Sequence, residues 1–104
     1  MLFVCDEIHG EFVFGGSRYL PAAQVEGVDP LRTVILTSPT KTFNLAGAGI
    51  AAIIAADPKV RAKIDRAVND NECCDVNVFG VAADIAAWNQ GEESVSYTHL
   101  TLPT

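Results

Sequence analysis

The sequence is poor in cysteine, histidine and basic residues. It has three cysteines, Cys5, Cys73 and Cys74, and two histidines, His9 and His99. The cysteine number is odd, two of the three are neighbours, no CxxC pair occurs, and neither histidine stands at a zinc-ligand spacing from them. That argues against a disulfide framework and a structural zinc site, and makes a reducing, cytoplasmic setting the expectation. Seven Lys and Arg face thirteen Asp and Glu, a net charge of −6. An acidic balance argues against a nucleic-acid partner, which needs a basic face. The longest apolar run, LAGAGIAAIIAA over residues 45–56, falls short of the roughly 20 residues of a membrane helix, so no membrane partner is expected. The opening MLFVCDE has no basic region ahead of an apolar core, unlike a secretory signal. No GxxxxGK[ST] phosphate loop, internal repeat or low-complexity segment is present. What remains is 104 residues, 49% of them hydrophobic, the composition of one soluble globular piece. Met1 enters a strand pattern directly, so we expect a chain that starts inside a fold.

LFVC (2–5) reads as a short buried strand. Gly15-Gly16 and Pro21 mark turns, PAAQV suits a helical turn, and Asp29-Pro30 is a second break. TVILT (33–37) is β-branched and apolar, as in buried parallel strands. SPTKTFN (38–44) is polar, with Pro39 stopping the strand. GIAAIIAA (49–56) suits helix by its alanines and strand by its length and flanks; we take the strand. In DPKVRAKIDRAV, Asp57 is a good N-cap and Pro58 suits the first helical position. Val60, Ile64 and Val68 then form one apolar stripe. A second helix is expected from about Val76 to Asn89, with Val78, Val81, Ala82, Ile85 and Trp88 facing inward and Gly91 as its stop. SVSYTHLTLPT (94–104) abandons this pattern and looks like translated adapter sequence; we read it as a non-native or disordered tail.

The chemistry turns on VCDEIHGE (4–11), where an apolar run ends in two acids and a histidine. A DEIH-box helicase places Asp and Glu around Mg²⁺, and VILTSPT downstream loosely echoes such a motor. Against that reading, Gly10, Gly15, Gly16 and Pro21 interrupt the helix expected after DEIH, and position 39 is Pro where Ala is expected. A metal site built from Asp6, Glu7, His9 and Glu11 fits by residue type. On a strand, however, neighbouring side chains point to opposite faces and cannot all converge.

DEIH (6–9), SPTKTFNLAG (38–47) and AAIIAADPKVR (51–61), in that order, account for more of the chain. Together they resemble the fold-type I enzymes that use pyridoxal 5′-phosphate, the class I/II aminotransferase superfamily, and within it the cystathionine β-lyase and cysteine-S-conjugate β-lyase branch. The resemblance covers roughly residues 2–93. It implies an α/β fold: residues 1–93 as the C-terminal part of the cofactor-binding large domain, a mixed, mostly parallel sheet with flanking helices. The strand ending at Asp6 would pair in parallel with 33–37, and the strand near 50–55 would return antiparallel as the edge.

The resemblance also implies roles. Lys41 would be the amine that condenses with the cofactor aldehyde and moves the Cα proton; a solvated loop lysine is the plain alternative. Asp6 would face the pyridine nitrogen and keep it protonated; otherwise it is a loop acid. His9 would flank the cofactor's 3′-oxygen or be a structural histidine. Ser38 and Thr40 would bind the phosphate, or serve the turn. Glu7 matches no ring contact. Gly49 stands where many relatives carry a basic residue near the phosphate, and Cys5 and Tyr19 where relatives often show Ser and His. The implied substrate is an amino acid, a cysteine thioether, and the implied parent is a homodimer. The glycine-containing phosphate cup, the ring stacker and the carboxylate-binding arginine find no match in this chain, so we expect a fragment.

Overall fold

A computed structural model describes residues 1–70, 72 and 75–91. Three strands make one sheet in the order β1 (Phe3–Asp6), β2 (Thr33–Thr37), β3 (Ala52–Ala55). β1 and β2 are parallel, with Phe3 opposite Thr33 and Asp6 opposite Leu36. β3 returns antiparallel, with Val34 opposite Ala55 and Thr37 opposite Ala52. This is the pairing and direction expected from the sequence. β2 is central because its β-branched, apolar residues can be covered on both faces: Thr33, Val34 and Ile35 are all buried.

Segment 38–44 is more ordered than a polar loop. Pro39–Thr42 forms a helical turn, α1, with Ser38 as its N-cap and Pro39 at its first position. Pro39 stops the strand as expected, but its fixed φ also starts a helix. A 3₁₀ turn follows at Ala46–Ala48 and ends at Gly49, whose φ of 57° is a left-handed conformation that glycine adopts without strain. The strand expected over 49–56 is reduced to Ala52–Ala55.

Two longer helices follow among the described residues. In α2 (Pro58–Asp70), the Lys59 amide donates to Asp57 Oδ1 at 2.8 Å, the expected cap. Val60, Ile64 and Val68 are half-buried while most of their helical neighbours are exposed. α3 (Val78–Gln90) begins after Asn77, whose side chain accepts from the Phe79 amide, and ends at Gly91.

The expected inner face of α3 is incorrect. Val78 and Phe79 are 81% and 82% exposed, and Val81, Ile85 and Trp88 are also largely exposed. Gly80 and Ala87 are buried instead, with Ala83, Asp84 and Gly91 half-buried. The reason is the closeness of the neighbouring turns. A Cβ on Gly80 would lie 2.7 Å from the Ala48 carbonyl oxygen, and one on Gly91 would lie 2.2 Å from the Phe43 ring. The helix lies too close to α1 and the 46–48 turn for large side chains on that face. Trp88 reaches across from the rim, edge-on to Phe43 at 5.5 Å, with its indole N–H donating to Asp84 Oδ1 at 2.9 Å.

The core is small: Val34, Ile35, Ile50, Ala55 and Ala87 with Pro39 fully enclosed. Phe3, Val4, Ile53 and Ile54 on the sheet remain substantially exposed. No helix among the described residues is long and apolar enough to cross a membrane. Cys73, Cys74 and the expected tail at 94–104 lie outside the described residues.

Candidate active site

In a parallel pair, both strands deliver their ends to the same edge, and chemistry gathers there. β1 ends at Asp6 and β2 at Thr37, followed at once by Ser38 and α1. Asp6, Ile8, Leu36, Thr37, Ser38, Ala51, Ala52 and Ile53 line a cavity of about 330 Å³. Its floor is apolar, and Asp6 is the charged group on its wall. Asp6 is held locally: its Oδ1 accepts from the Ile8 amide at 3.2 Å. The strand geometry continues one residue further, because the Glu7 amide donates to the Leu36 carbonyl at 2.8 Å.

Lys41 sits on α1, exposed, between buried Thr42 and half-buried Thr40. Its backbone is well fixed. The Phe43 amide donates to the Pro39 carbonyl at 3.0 Å and the Leu45 amide to the Thr40 carbonyl at 2.9 Å. Ser38 anchors the start of the turn. It is 3% exposed, donates its hydroxyl proton to the Ile50 carbonyl at 2.6 Å, and accepts from the Thr40 amide at 3.1 Å. With that proton committed, the 2.8 Å contact between the two hydroxyls has Thr40 donating to Ser38. Both hydroxyl protons therefore have partners within the chain. A phosphate role for Ser38 and Thr40 asks those hydroxyls to change partners.

His9 is exposed in the turn after Glu7, with its ring 5.9 Å from that of Phe12. Among the described residues, no three His, Cys, Asp or Glu side chains are gathered to hold a metal.

Glu7, Gly10 and Tyr19 form a second cluster that sequence reasoning missed. Strand alternation sends Glu7 to the face opposite Asp6. There its Oε2 accepts from the Tyr19 hydroxyl and its Oε1 from the Ala22 amide at 2.7 Å. Burial, then the bond to Glu7 and its charge, push the Tyr19 phenol well above its ordinary range. Burial and then the same carboxylate push the Cys5 thiol up, which disfavours the reactive thiolate. The Tyr19 ring lies directly over Gly10, where a Cβ would come within 2.4 Å of it.

The chain thus has a carboxylate at the end of one parallel strand and an amine on a capped turn after the next, and comparison with known proteins gives the class. The chain belongs to the aminotransferase class I and II family, whose profile matches residues 1–91. Pyridoxal phosphate is the cofactor of that family. The chain is similar to cystathionine beta-lyase PatB of Bacillus subtilis (strain 168), 34% identical over 98 residues, which cover 90% of this chain and 25% of that protein. Among solved structures, OvoB superposes with a TM-score of 0.85 at 33% identity, over 97% of this chain and 27% of that one. A pyridoxal-phosphate-bound putative aminotransferase from Clostridium difficile 630 superposes with a TM-score of 0.86 at 26% identity, over 94% of this chain and 25% of that one. The chain thus spans about a quarter of the length of these relatives.

The residues present fit part of the cofactor. An anionic group on an apolar cavity wall suits a protonated ring nitrogen, and a primary amine on a rigid turn suits an aldehyde.

Proposed function

We propose that these residues belong to a pyridoxal-phosphate-dependent carbon–sulfur lyase that cleaves cystathionine or cysteine S-conjugates by β-elimination, giving a thiol, ammonia and pyruvate. The similarity to cystathionine beta-lyase PatB carries the choice of reaction. The placement of Asp6 and Lys41 supports the choice of cofactor. The same reading makes the whole protein a cytoplasmic homodimer, on resemblance alone.

When bound, pyridoxal phosphate supplies an aldehyde that captures the substrate amine and a ring that takes up the electron pair left at Cα. Asp6 would hold a proton at the ring nitrogen, which makes that uptake favourable. Lys41 Nζ would hold the aldehyde carbon in the absence of substrate and, once free, would take the Cα proton and could give it to the sulfur of the departing thiol. The rigid turn, fixed through Ser38 and Ile50, would keep Nζ in register with both proton positions.

The second reading is amino-group transfer, favoured by the similarity to the putative aminotransferase from Clostridium difficile 630. Asp6 and Lys41 serve both reactions, so the branch is decided by where the electron pair goes. The test supplies the whole protein with cystathionine, with and without an added keto acid, and follows thiol and pyruvate. The lyase reading expects both products without keto acid. Turnover that requires the keto acid and releases no thiol makes the protein an aminotransferase.

A further inference from the structure

We infer that Glu7 is a positioning residue for the candidate site, its carboxylate latching residues 10–22 onto the end of β1 and so fixing the turn that follows Asp6 and carries His9. The inference rests on the site reading only in giving Asp6 a use; the latch itself is a property of the chain without cofactor.

Glu7 is the residue after Asp6, and the two side chains leave the strand on opposite faces. One carboxylate takes two donors distant in sequence, the Tyr19 hydroxyl and the Ala22 amide. Those bonds close the whole segment between, including the Glu7–Gly10 turn, where the Gly10 amide donates to the Glu7 carbonyl at 2.9 Å. Gly10 supplies the seat: its missing side chain is the space the Tyr19 ring occupies. The segment has little other regular structure, only a 3₁₀ turn at Ala22–Gln24. Hydrogen bonds to a charged acceptor are among the stronger local restraints available to such a segment. Releasing it would free the turn in which the Ile8 amide holds Asp6.

Amide hydrogen exchange and ¹⁵N–¹H spectra of the 104-residue chain test this. Glu7→Ala is expected to speed exchange across residues 10–22 by about ten- to a hundredfold, the loss of charge-assisted bonds, while amides of 33–37 keep their protection. The Ile8 amide, which donates to Asp6 Oδ1 in the parent chain, is expected to exchange faster as well. Glu7→Gln, with one accepting oxygen, should fall between. Gly10→Ala should release the same segment with Glu7 intact. Unchanged exchange at 10–22, unchanged exchange of the Ile8 amide, or equal loss of protection at 33–37 would each overturn the inference, the last by making Glu7 a general structural residue. Reductive trapping of pyridoxal phosphate reports on the site separately, so a latch without a cofactor site, or the reverse, is distinguishable.

Discussion

Replacing Ser38 with alanine removes two supports from the turn that carries Lys41. The first is the N-cap of α1, the hydroxyl that accepts from the Thr40 amide; losing such a cap costs about 1 kcal/mol. The second is the partner of the Ile50 carbonyl, bonded at 2.6 Å. Because Ser38 is 3% exposed, water cannot easily take its place, and a buried acceptor left unpaired costs about 1–3 kcal/mol. The two together give about 2–4 kcal/mol. With a urea dependence of about 2 kcal/mol per molar for a chain of this size, the unfolding midpoint should fall by about 1–2 M. Ser38→Gly separates the parts, because glycine is a tolerable cap but restores nothing to Ile50; it should keep most of the loss. Thr40→Ala removes one hydrogen bond and should cost only about 0.5–1.5 kcal/mol. Exchange of the Phe43 and Leu45 amides, which close the turn, should quicken in Ser38→Ala before the sheet amides do. A Ser38→Ala chain within about 0.5 kcal/mol of the parent, with both amides as protected as before, would refute the reasoning.

Other outcomes follow from the same contacts. The folded chain holds the Tyr19 phenol protonated above its ordinary value of about 10; below that pH both states keep the proton and the contribution is whole, and as pH rises through 10 the unfolded chain gives it up first, so stability falls. Tyr19→Phe should therefore lose less stability between pH 9 and pH 11 than the parent in matched urea titrations; equal losses would contradict the assignment. Titrating the 104-residue chain with pyridoxal phosphate should give no saturable absorbance beyond that of free lysine amines, since a quarter of the relatives' length leaves the sheet face around Val4 and Ile53 open to water. Tight stoichiometric binding abolished by Lys41→Ala would contradict that expectation.

Much of the fold was legible because its signals are local. TVILT has the β-branched character of a central strand, DPK carries both a cap and a helix-starting proline, and Val60, Ile64 and Val68 recur at helical spacing. The inner face of α3 was misread because hydrophobicity and burial part company there. Gly80 and Ala87 are inside and Gly91 half-inside because they are small: Gly80 meets the backbone of Ala48 and Gly91 the ring of Phe43, both more than thirty residues earlier. The 38–44 segment was read through the strand-stopping role of Pro39, while its helix-starting role depends on the Ser38 cap and on the demand of the Ile50 carbonyl. Asp6 and Lys41 stood out through motif, not through physics readable at one position. Glu7 and Tyr19 gave no such signal: their bond joins residues twelve apart across a loop, and only the bare Cα of Gly10 between them hints at a ring packed close.

The central claim is that Lys41 is the amine that engages the cofactor. The direct measurement is borohydride reduction of the whole protein in the presence of pyridoxal phosphate, followed by digestion and peptide mapping. The account predicts a single pyridoxyl group on the peptide containing Lys41. A label on Lys59 or Lys63 with Lys41 unmodified, or no label at all, would contradict it.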